Sequence, residues 1–307
     1  MKKKSKVIVI LGQTATGKSD LAVKIALRLC SGQAQKYGGE IISADSRQVY
    51  KDLDIGTGKI TKKEMQGIPH HLLDVTNPKK KFTVVEYQKK AISAMAEIIK
   101  KGKIPIICGG TGFYIDAITK GIIFPEIPPS NKLRKILEKK TTLQLFKMLQ
   151  KLDKARAKDI KNKNEQNNRV RLIRAIEIAK TLGKVPKIIK DSPPYKFIKI
   201  GLFAPADILK EKINERLFAR IKVGMIKEIE NLHKNGLPWK RMEELGLEYR
   251  YVSLYLQNKL TKKEMTEKLN SEIYKYAKRQ MTWFKRDKDI IWFDASKKNF
   301  KNVLPYL

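Results

Sequence analysis

The residues best placed to do chemistry begin at position 12. Gly12-x-x-x-x-Gly17-Lys18-Ser19 follows the apolar run Val7–Leu11 and opens a stretch with helical spacing. A glycine-flanked loop between strand and helix turns successive backbone N–H groups, and a helix N-terminus, onto one point. That arrangement binds a phosphate-type anion. Gly12, Gln13, Thr14, Ala15, Thr16, Gly17, Lys18 and Ser19 form the expected cradle. Lys18 adds a positive charge and Ser19 offers a hydroxyl to a Mg²⁺ bridging the phosphates. The pattern specifies an oligophosphate or a pyrophosphate without naming ATP. Asp45 stands just past the short apolar strand Glu40–Ser43. An acid there lies on the ligand side of an open α/β sheet, or it caps a helix; the two roles are compatible. A third apolar strand, Ile104–Cys108, ends in Gly109-Gly110-Thr111-Gly112. A P-loop ATPase needs an acid near such a strand end to hold Mg²⁺. Glycines and a threonine argue against nucleotide hydrolysis and suit backbone and hydroxyl contacts to phosphate.

The elements that must position these residues follow from periodicity. Lys18–Cys30 has helical spacing at Leu21, Ile25 and Leu29, and Ser31–Gly39 is a polar loop. Asp54–Lys59 is glycine-rich and expected as a loop near the site. His70 and His71 are adjacent, so they cannot share one face of an element; a hydrogen-bonding role is expected rather than a metal site. Thr83–Lys101 predicts an amphipathic helix with Val84, Tyr87, Ile92, Met95 and Ile99 on its apolar side. Composition shifts at Pro125–Pro129, a stiff linker, and from Ser130 to about Leu182 the chain is helical, basic and glycine-free. Ser130 is a plausible N-cap there. In Arg169–Lys180, Arg171 and Arg174 share a face while Ile173 and Ile176 turn to a core. Lys190–Lys196 closes this insertion. Phe197–Phe203 is a strand expected to rejoin the sheet. Helices follow at Asp207–Ala219 or beyond, at Met225–Leu232, after Leu245–Tyr251 and at Lys262–Lys285, then a final strand, Ile290–Phe293. The expected divisions are residues 1–125, 126–195 and 196–307, with the first and last forming one catalytic core.

The chain has 307 residues, 42% of them hydrophobic, and Lys and Arg outnumber Asp and Glu by 66 to 31. A net charge of +35 implies a polyanionic partner. A lysine-rich proteome offers a blander source of the excess, but Arg171 and Arg174 stand out where the charge is mostly lysine. Lys278, Arg279 and Arg286 interleave with Tyr274, Trp283 and Phe284, a pattern that can grip an RNA backbone and stack on bases. It equally suits core aromatics beneath a wet basic face. Cys30 and Cys108 are too distant for a metal knuckle and are expected as free buried thiols. No signal peptide and no membrane-length apolar run is present, so a soluble, cytoplasmic protein without a membrane partner is expected.

Together these residues resemble the tRNA dimethylallyltransferase (isopentenyltransferase) family, bacterial type. The resemblance rests on Gly12–Ser19, Ile42–Tyr50, Asp54–Thr57, Gly67–Leu72, Gly109–Tyr114, Asn168–Glu177 and Ala277–Phe284, in that order. It implies an α/β fold: a P-loop core with a mostly parallel sheet flanked by helices, plus an inserted helical domain that binds tRNA. It implies transfer of a dimethylallyl group from dimethylallyl pyrophosphate to N6 of the adenosine immediately 3′ of the anticodon. Asp45 is then the general base. Lys18, the loop amides, Thr111 and Arg220 stabilise the departing pyrophosphate, with Arg216 a weaker candidate and Mg²⁺ near Ser19. The RNA contacts implied are Asp45, Ser46, Arg47, Gln48, Thr111, Arg134, Arg169, Arg171, Arg174, Tyr249, Arg250, Lys278, Arg279, Gln280 and Trp283. A monomer is expected. Gln13 departs from the proline common in the family, and no Cys/His pair lies near the C-terminus, so the zinc-finger extension of eukaryotic members is not expected. The rival readings are a P-loop nucleotide or nucleoside kinase with Arg169, Arg171 and Arg174 as lid arginines, and a non-catalytic RNA-binding protein with a relic P-loop.

Overall fold

Alternation along the apolar strands decides the layers. Successive strand side chains point to opposite faces. In β1 (Ser5–Gly12), Val7, Val9 and Leu11 therefore join one buried cluster while Ile8 and Ile10 join another. Ile42 and Ile107 fall with the first set, Ile41, Ile106 and Cys108 with the second. A strand apolar on both faces must be covered on both, which a parallel sheet between helix layers achieves.

The computed structural model describes residues 4–30, 38–187, 189–297, 303, 305 and 306, with the backbone alone for Cys30. The expectations for the Cys30 thiol and for most of the loop at Ser31–Gly39 lie outside those residues. After β1 come α1 (Lys18–Cys30), β2 (Gly39–Ser43), α2 (Lys62–Met65), β3 (His70–His71), α3 (Val84–Lys100), β4 (Ile104–Gly109) and α4 (Gly112–Thr119). Then follow β5 (Ile122–Ile123), α5 (Asn131–Leu137), α6 (Thr142–Leu152), α7 (Lys154–Asn162), α8 (Arg169–Leu182) and β6 (Ile189–Lys190). The chain continues with β7 (Tyr195–Phe203), α9 (Ala206–Lys222), α10 (Met225–Lys234), α11 (Trp239–Leu245), α12 (Leu247–Leu256), α13 (Lys262–Phe284) and β8 (Ile290–Asp294).

Two compact units result: Met1–Gly121 with Ser192–Leu307, and Ile122–Asp191. The first contains a sheet in the order β3-β2-β4-β1-β7-β8, parallel at every pairing. β7 rejoins it beside β1. The strand ends carrying the P-loop, Asp45 and Gly109 therefore open on one edge, where an α/β sheet binds its ligands. α3 starts on a Thr83–Glu86 capping box, and its buried set is Tyr87, Ala91, Ala94, Met95 and Ile98. Ile92 is instead exposed. It is five residues from Tyr87, which at 3.6 residues per turn turns it off that face. His71 hydrogen-bonds the buried Glu40 carboxylate at 2.7 Å and His70 Nδ1 lies 2.8 Å from the Ile68 carbonyl.

The second unit packs α5–α8 around Leu137, Leu145, Leu149, Ile160, Leu172 and Ile176. Ile173 and Ile176 are buried there as their spacing predicts. Its polar centre is Glu177, 2% exposed. Arg134 donates to both carboxylate oxygens at 2.7 and 2.8 Å, and Ser130 N donates at 3.0 Å. Burial pushes the Glu177 carboxyl up, but the bonds from Arg134 and Ser130 outweigh it and hold the group below its ordinary value. A depressed carboxylate stabilises the fold above its unfolded pKa and loses that contribution as pH falls through the folded one. Glu177→Gln leaves two guanidinium groups without their buried counter-charge. It is expected to lower the unfolding free energy by about 3 kcal/mol at neutral pH. Urea denaturation at pH 7 and pH 4 checks this, the difference between variant and parent shrinking at the lower pH.

Candidate functional site

The P-loop backbone requires what only certain residues tolerate. Gly12 has φ +136°, and a Cβ there would sit 2.1 Å from the Leu202 carbonyl oxygen of β7. Gly17 has φ +78°, and Ala15 is left-handed at +63°. Lys18 Nζ folds back onto the Gln13 carbonyl at 2.5 Å, and Thr16 Oγ1 donates to the same oxygen at 2.8 Å. Gln13 itself is buried. Its amide donates to the Ala277 carbonyl and accepts from Ala204 N, both at 3.4 Å, so its side chain anchors the loop to α13 and to the end of β7. Thr14 N donates to Gln280 Oε1 at 2.7 Å, while Gln280 Nε2 donates to the Gly110 carbonyl at 2.9 Å. Gln280, expected against RNA, is thus a buried clamp between the P-loop and the end of β4.

Asp45 lies in a turn, not at a helix start, so no helix cap is formed. One carboxylate oxygen accepts from Arg47 N at 2.8 Å, an Asx turn. Among the described residues the side chain has no ion-pair partner. Thr111 Oγ1 accepts from Ser46 N at 3.0 Å, and Thr111 N donates to the Ala44 carbonyl at 3.1 Å. Gly109 allows this close approach, since a Cβ there would lie 2.2 Å from Ala44 O. Thr111 therefore fixes the turn that presents Asp45.

A cleft of about 1150 Å³ opens over these strand ends. Thr14–Ser19, Asp45–Gln48, Arg216 and Arg220 line it, with Tyr249, Arg250, Arg279 and Gln280 on a further wall. Gln48 is held at both amide ends, near Ser43 Oγ and on the Gly58 carbonyl. Tyr249 is buried, its hydroxyl donating to Glu228 at 2.9 Å. Arg47 reaches the Glu244 carbonyl and Arg250 the Glu243 carbonyl. Lys278 and Arg279 are exposed, over the rings of Tyr274 and Tyr276. Trp283 packs on Gly112 and donates to Asp116 at 3.2 Å.

Charge separates the two arginines that α9 presents four residues apart. Arg220 donates to Glu248 at 3.2 Å and to the Gly56 carbonyl at 3.3 Å. Burial pushes Glu248 up against the pull of Arg220. The Arg216 guanidinium has no hydrogen-bond or ion-pair partner among the described residues. Its side chain is exposed to the water of the cleft, and desolvation by the surrounding protein, then Arg220 beside it, pushes it down to about 10. At neutral pH it remains a cation. Lys18 is brought down to about 8, first by burial and then by Arg216, with Cys108 and Asp45 pulling the other way. The buried Cys108 thiol is raised to about 11 by burial.

The insertion arginines belong to the second unit and are engaged within it. Arg134 and Arg174 meet Glu177, Arg174 also donating to the Ile127 carbonyl at 2.7 Å. Arg171 pairs with Glu165, and Arg169 donates to the Glu138 carbonyl. Sequence reasoning passed over Glu228 and Glu248, whose partners lie far away in the chain. No local pattern marks them: Glu228 stands in Ile226-Lys227-Glu228-Ile229 and Glu248 in Leu247-Glu248-Tyr249, ordinary helical sequence.

An anion cradle, an unpaired carboxylate and an unpaired arginine thus share one cleft, and comparison with known proteins says which family builds it. The IPP transferase family model matches residues 48–287. The chain belongs to the tRNA dimethylallyltransferase family. It is 42% identical over 284 residues to tRNA dimethylallyltransferase 2 of Treponema denticola, covering 91% of each chain. It is 40% identical to tRNA dimethylallyltransferase 1 of Syntrophus aciditrophicus, covering 94% of this chain and 93% of that one. The fold matches the tRNA isopentenylpyrophosphate transferase of Bacillus halodurans with a TM-score of 0.72 at 32% identity, over 99% of this chain and 95% of that chain. A eukaryotic dimethylallyltransferase acting on tRNA matches with a TM-score of 0.76 at 26% identity, over 96% of this chain and 75% of that chain. The P-loop α/β fold expected from sequence is the fold of the family. Among the described residues no helix is long and apolar enough to cross a membrane.

Proposed function

We propose that the chain transfers a dimethylallyl group from dimethylallyl pyrophosphate to N6 of the adenosine immediately 3′ of the anticodon in tRNA, releasing pyrophosphate. The observation that carries the residue assignments is the Asp45 carboxylate, without an ion pair among the described residues, on the same cleft as the P-loop. Adenine N6 is a weak nucleophile because its lone pair is delocalised into the ring. As N6 bonds to the allylic carbon, that carbon's bond to oxygen breaks and the electron pair leaves with pyrophosphate. Asp45 takes the N6 proton. The P-loop amides, Lys18 and Arg216 hold the charge that develops on the leaving group. Arg216 takes this role in place of Arg220, because Glu248 and Gly56 already occupy Arg220.

The residues fit a magnesium ion carried in with the pyrophosphate. Ser19 lines the cleft at the start of α1, and among the described residues no cluster of three His, Cys, Asp or Glu is placed to hold a metal by itself. Ser19 would hold the ion beside phosphate oxygens and water, and the chemistry supplied is charge neutralisation on the leaving group. Basic side chains Lys278 and Arg279 on the first unit, and the insertion with Arg134, Arg169, Arg171 and Arg174, are the tRNA-binding surfaces in this reading. The protein works as a monomer in the cytoplasm.

Lys18 makes donor binding pH-dependent. Pyrophosphate favours the ammonium form, so the bound pKa lies above the free value of about 8. Affinity is then level below that pH and falls above it by up to about tenfold per unit. Titration with dimethylallyl pyrophosphate without RNA, from pH 7 to 9.5, tests this; Lys18→Arg is expected to flatten the decline. The reaction itself is tested with labelled donor and an anticodon stem-loop. Label should enter the RNA carrying adenosine 3′ of the anticodon and not the same RNA with guanosine there. No label on either, with ATP consumed instead, would establish the kinase reading.

A further inference from the structure

One wall of the cleft is a loop outside the regular elements. The loop from Asp54 to Lys59, carrying Gly56 and Gly58, belongs to no helix or strand. Thr57 and Gly58 nevertheless line the cleft. Thr57 Oγ1 donates to the Leu53 carbonyl at 2.6 Å and Lys59 bridges Asp54 and Asp74, but the amides of residues 54–56 are gathered by one carboxylate on α10. Glu228 accepts from three consecutive amides, Asp54 N at 3.1 Å, Ile55 N at 2.7 Å and Gly56 N at 3.1 Å. Its fourth donor is the Tyr249 hydroxyl at 2.9 Å. Four donors fill the capacity of a carboxylate, and charge-assisted bonds of this kind are the stronger ones.

The loop so fixed is a template for both sides of the reaction centre. Its Gly56 carbonyl accepts from Arg220, and its Gly58 carbonyl accepts from Gln48. Contact is tight on both sides. A Cβ on Gly56 would sit 2.7 Å from the Tyr249 ring, and one on Gly58 would sit 1.8 Å from an Arg220 nitrogen. Arg220 in turn stands beside Arg216, and Gln48 lies three residues from Asp45.

We infer that Glu228 is a positioning residue for the transfer reaction: by gathering the amides of residues 54–56 it sets the loop that aligns Arg220 and Gln48 beside the pyrophosphate and adenosine sites. Glu228 touches neither substrate and acts through the loop. The inference rests on the reaction proposed above for its catalytic consequence, but its structural part stands apart from it.

Two measurements on the full chain test it. Glu228→Gln keeps the shape but turns a donor toward amides that need an acceptor. Glu228→Asp keeps the charge and withdraws it by about one C–C bond, ~1.5 Å. In both variants hydrogen exchange at the amides of Asp54, Ile55 and Gly56 is expected to speed up by about tenfold or more, while the amides of the central strands keep their protection. With donor and stem-loop, kcat is expected to fall ~10-fold from misalignment, with the KM for stem-loop within about twofold of the parent. Glu230→Gln, on the same helix and paired among the described residues only with Lys234, removes the same charge and is expected to change neither readout. Unchanged exchange at residues 54–56, or protection lost evenly across the chain, overturns the inference. Faster exchange at 54–56 with kcat unchanged also overturns it, reducing Glu228 to a loop anchor. A parent chain that transfers nothing overturns the reaction and leaves the exchange result to decide whether Glu228 holds the loop.

Discussion

Asp45→Asn is expected to lower the transfer rate by about 10²- to 10⁴-fold, the range of a lost general base, while stem-loop affinity stays within about twofold. The asparagine keeps the shape and can still accept from Arg47 N, as the carboxylate does at 2.8 Å. The turn also keeps its support from Thr111, whose hydroxyl oxygen accepts from Ser46 N. What disappears is the proton acceptor. Single-turnover transfer measured beside stem-loop binding separates the two effects. A loss of RNA binding equal to the loss of rate would make Asp45 a recognition residue. An unchanged rate would return it to the turn-forming role that its Asx geometry already fills.

Arg216→Ala is expected to reduce transfer by about 10²- to 10³-fold, as removal of a transition-state charge donor does. Arg220→Ala is expected to cost less, about tenfold. The argument is one of free and committed charge. Arg220 is bound to Glu248 and to the Gly56 carbonyl through one guanidinium nitrogen, so its charge has a protein counter-ion before any ligand arrives. Arg216 has no protein counter-ion among the described residues, and desolvation, then Arg220 beside it, depresses it to about 10. A cation without a counter-ion beside a second cation is costly, and bound pyrophosphate relieves that cost. The double comparison is the check: kcat for each variant at saturating stem-loop, with a donor titration. A larger effect at Arg220 than at Arg216 would reverse the assignment and return it to the one that sequence favoured.

Two readings of the basic chain also separate by what each arginine touches. Arg174 stands in the arginine-rich helix and, with Arg134 by the resemblance, suggests a phosphate-binding face. In the folded second unit they surround the buried Glu177, and part of their charge is spent on stability. Lys278 and Arg279 remain exposed on α13. Gln280, next to them in sequence, turns inward to clamp Thr14 and Gly110. One turn of helix thus serves the surface and the P-loop at once.

By itself the sequence determined the features whose causes are local. The P-loop is a contiguous pattern of residue types, and its glycines are demanded by backbone geometry within a few positions. The parallel strands follow from short runs apolar on both faces, and the helices from 3.6-residue spacing and Thr-initiated capping boxes at Thr83 and Thr261. The ordered set of motifs was enough to name the family. Tertiary structure alone decided how side chains of the same type divide their work. Arg216 and Arg220 share a helix face, and nothing near them in the chain ranks one above the other; the choice is made by Glu248 and Gly56, which reach Arg220 from elsewhere in the chain. The buried roles of Gln280 and Tyr249, the bond that ties Thr111 to the turn at Ser46 and the hold of Glu228 on three loop amides arise in the same way. A hydrogen bond is satisfied by whichever partner the fold brings within about 3 Å, and for these residues that partner stands 21 to 266 positions away.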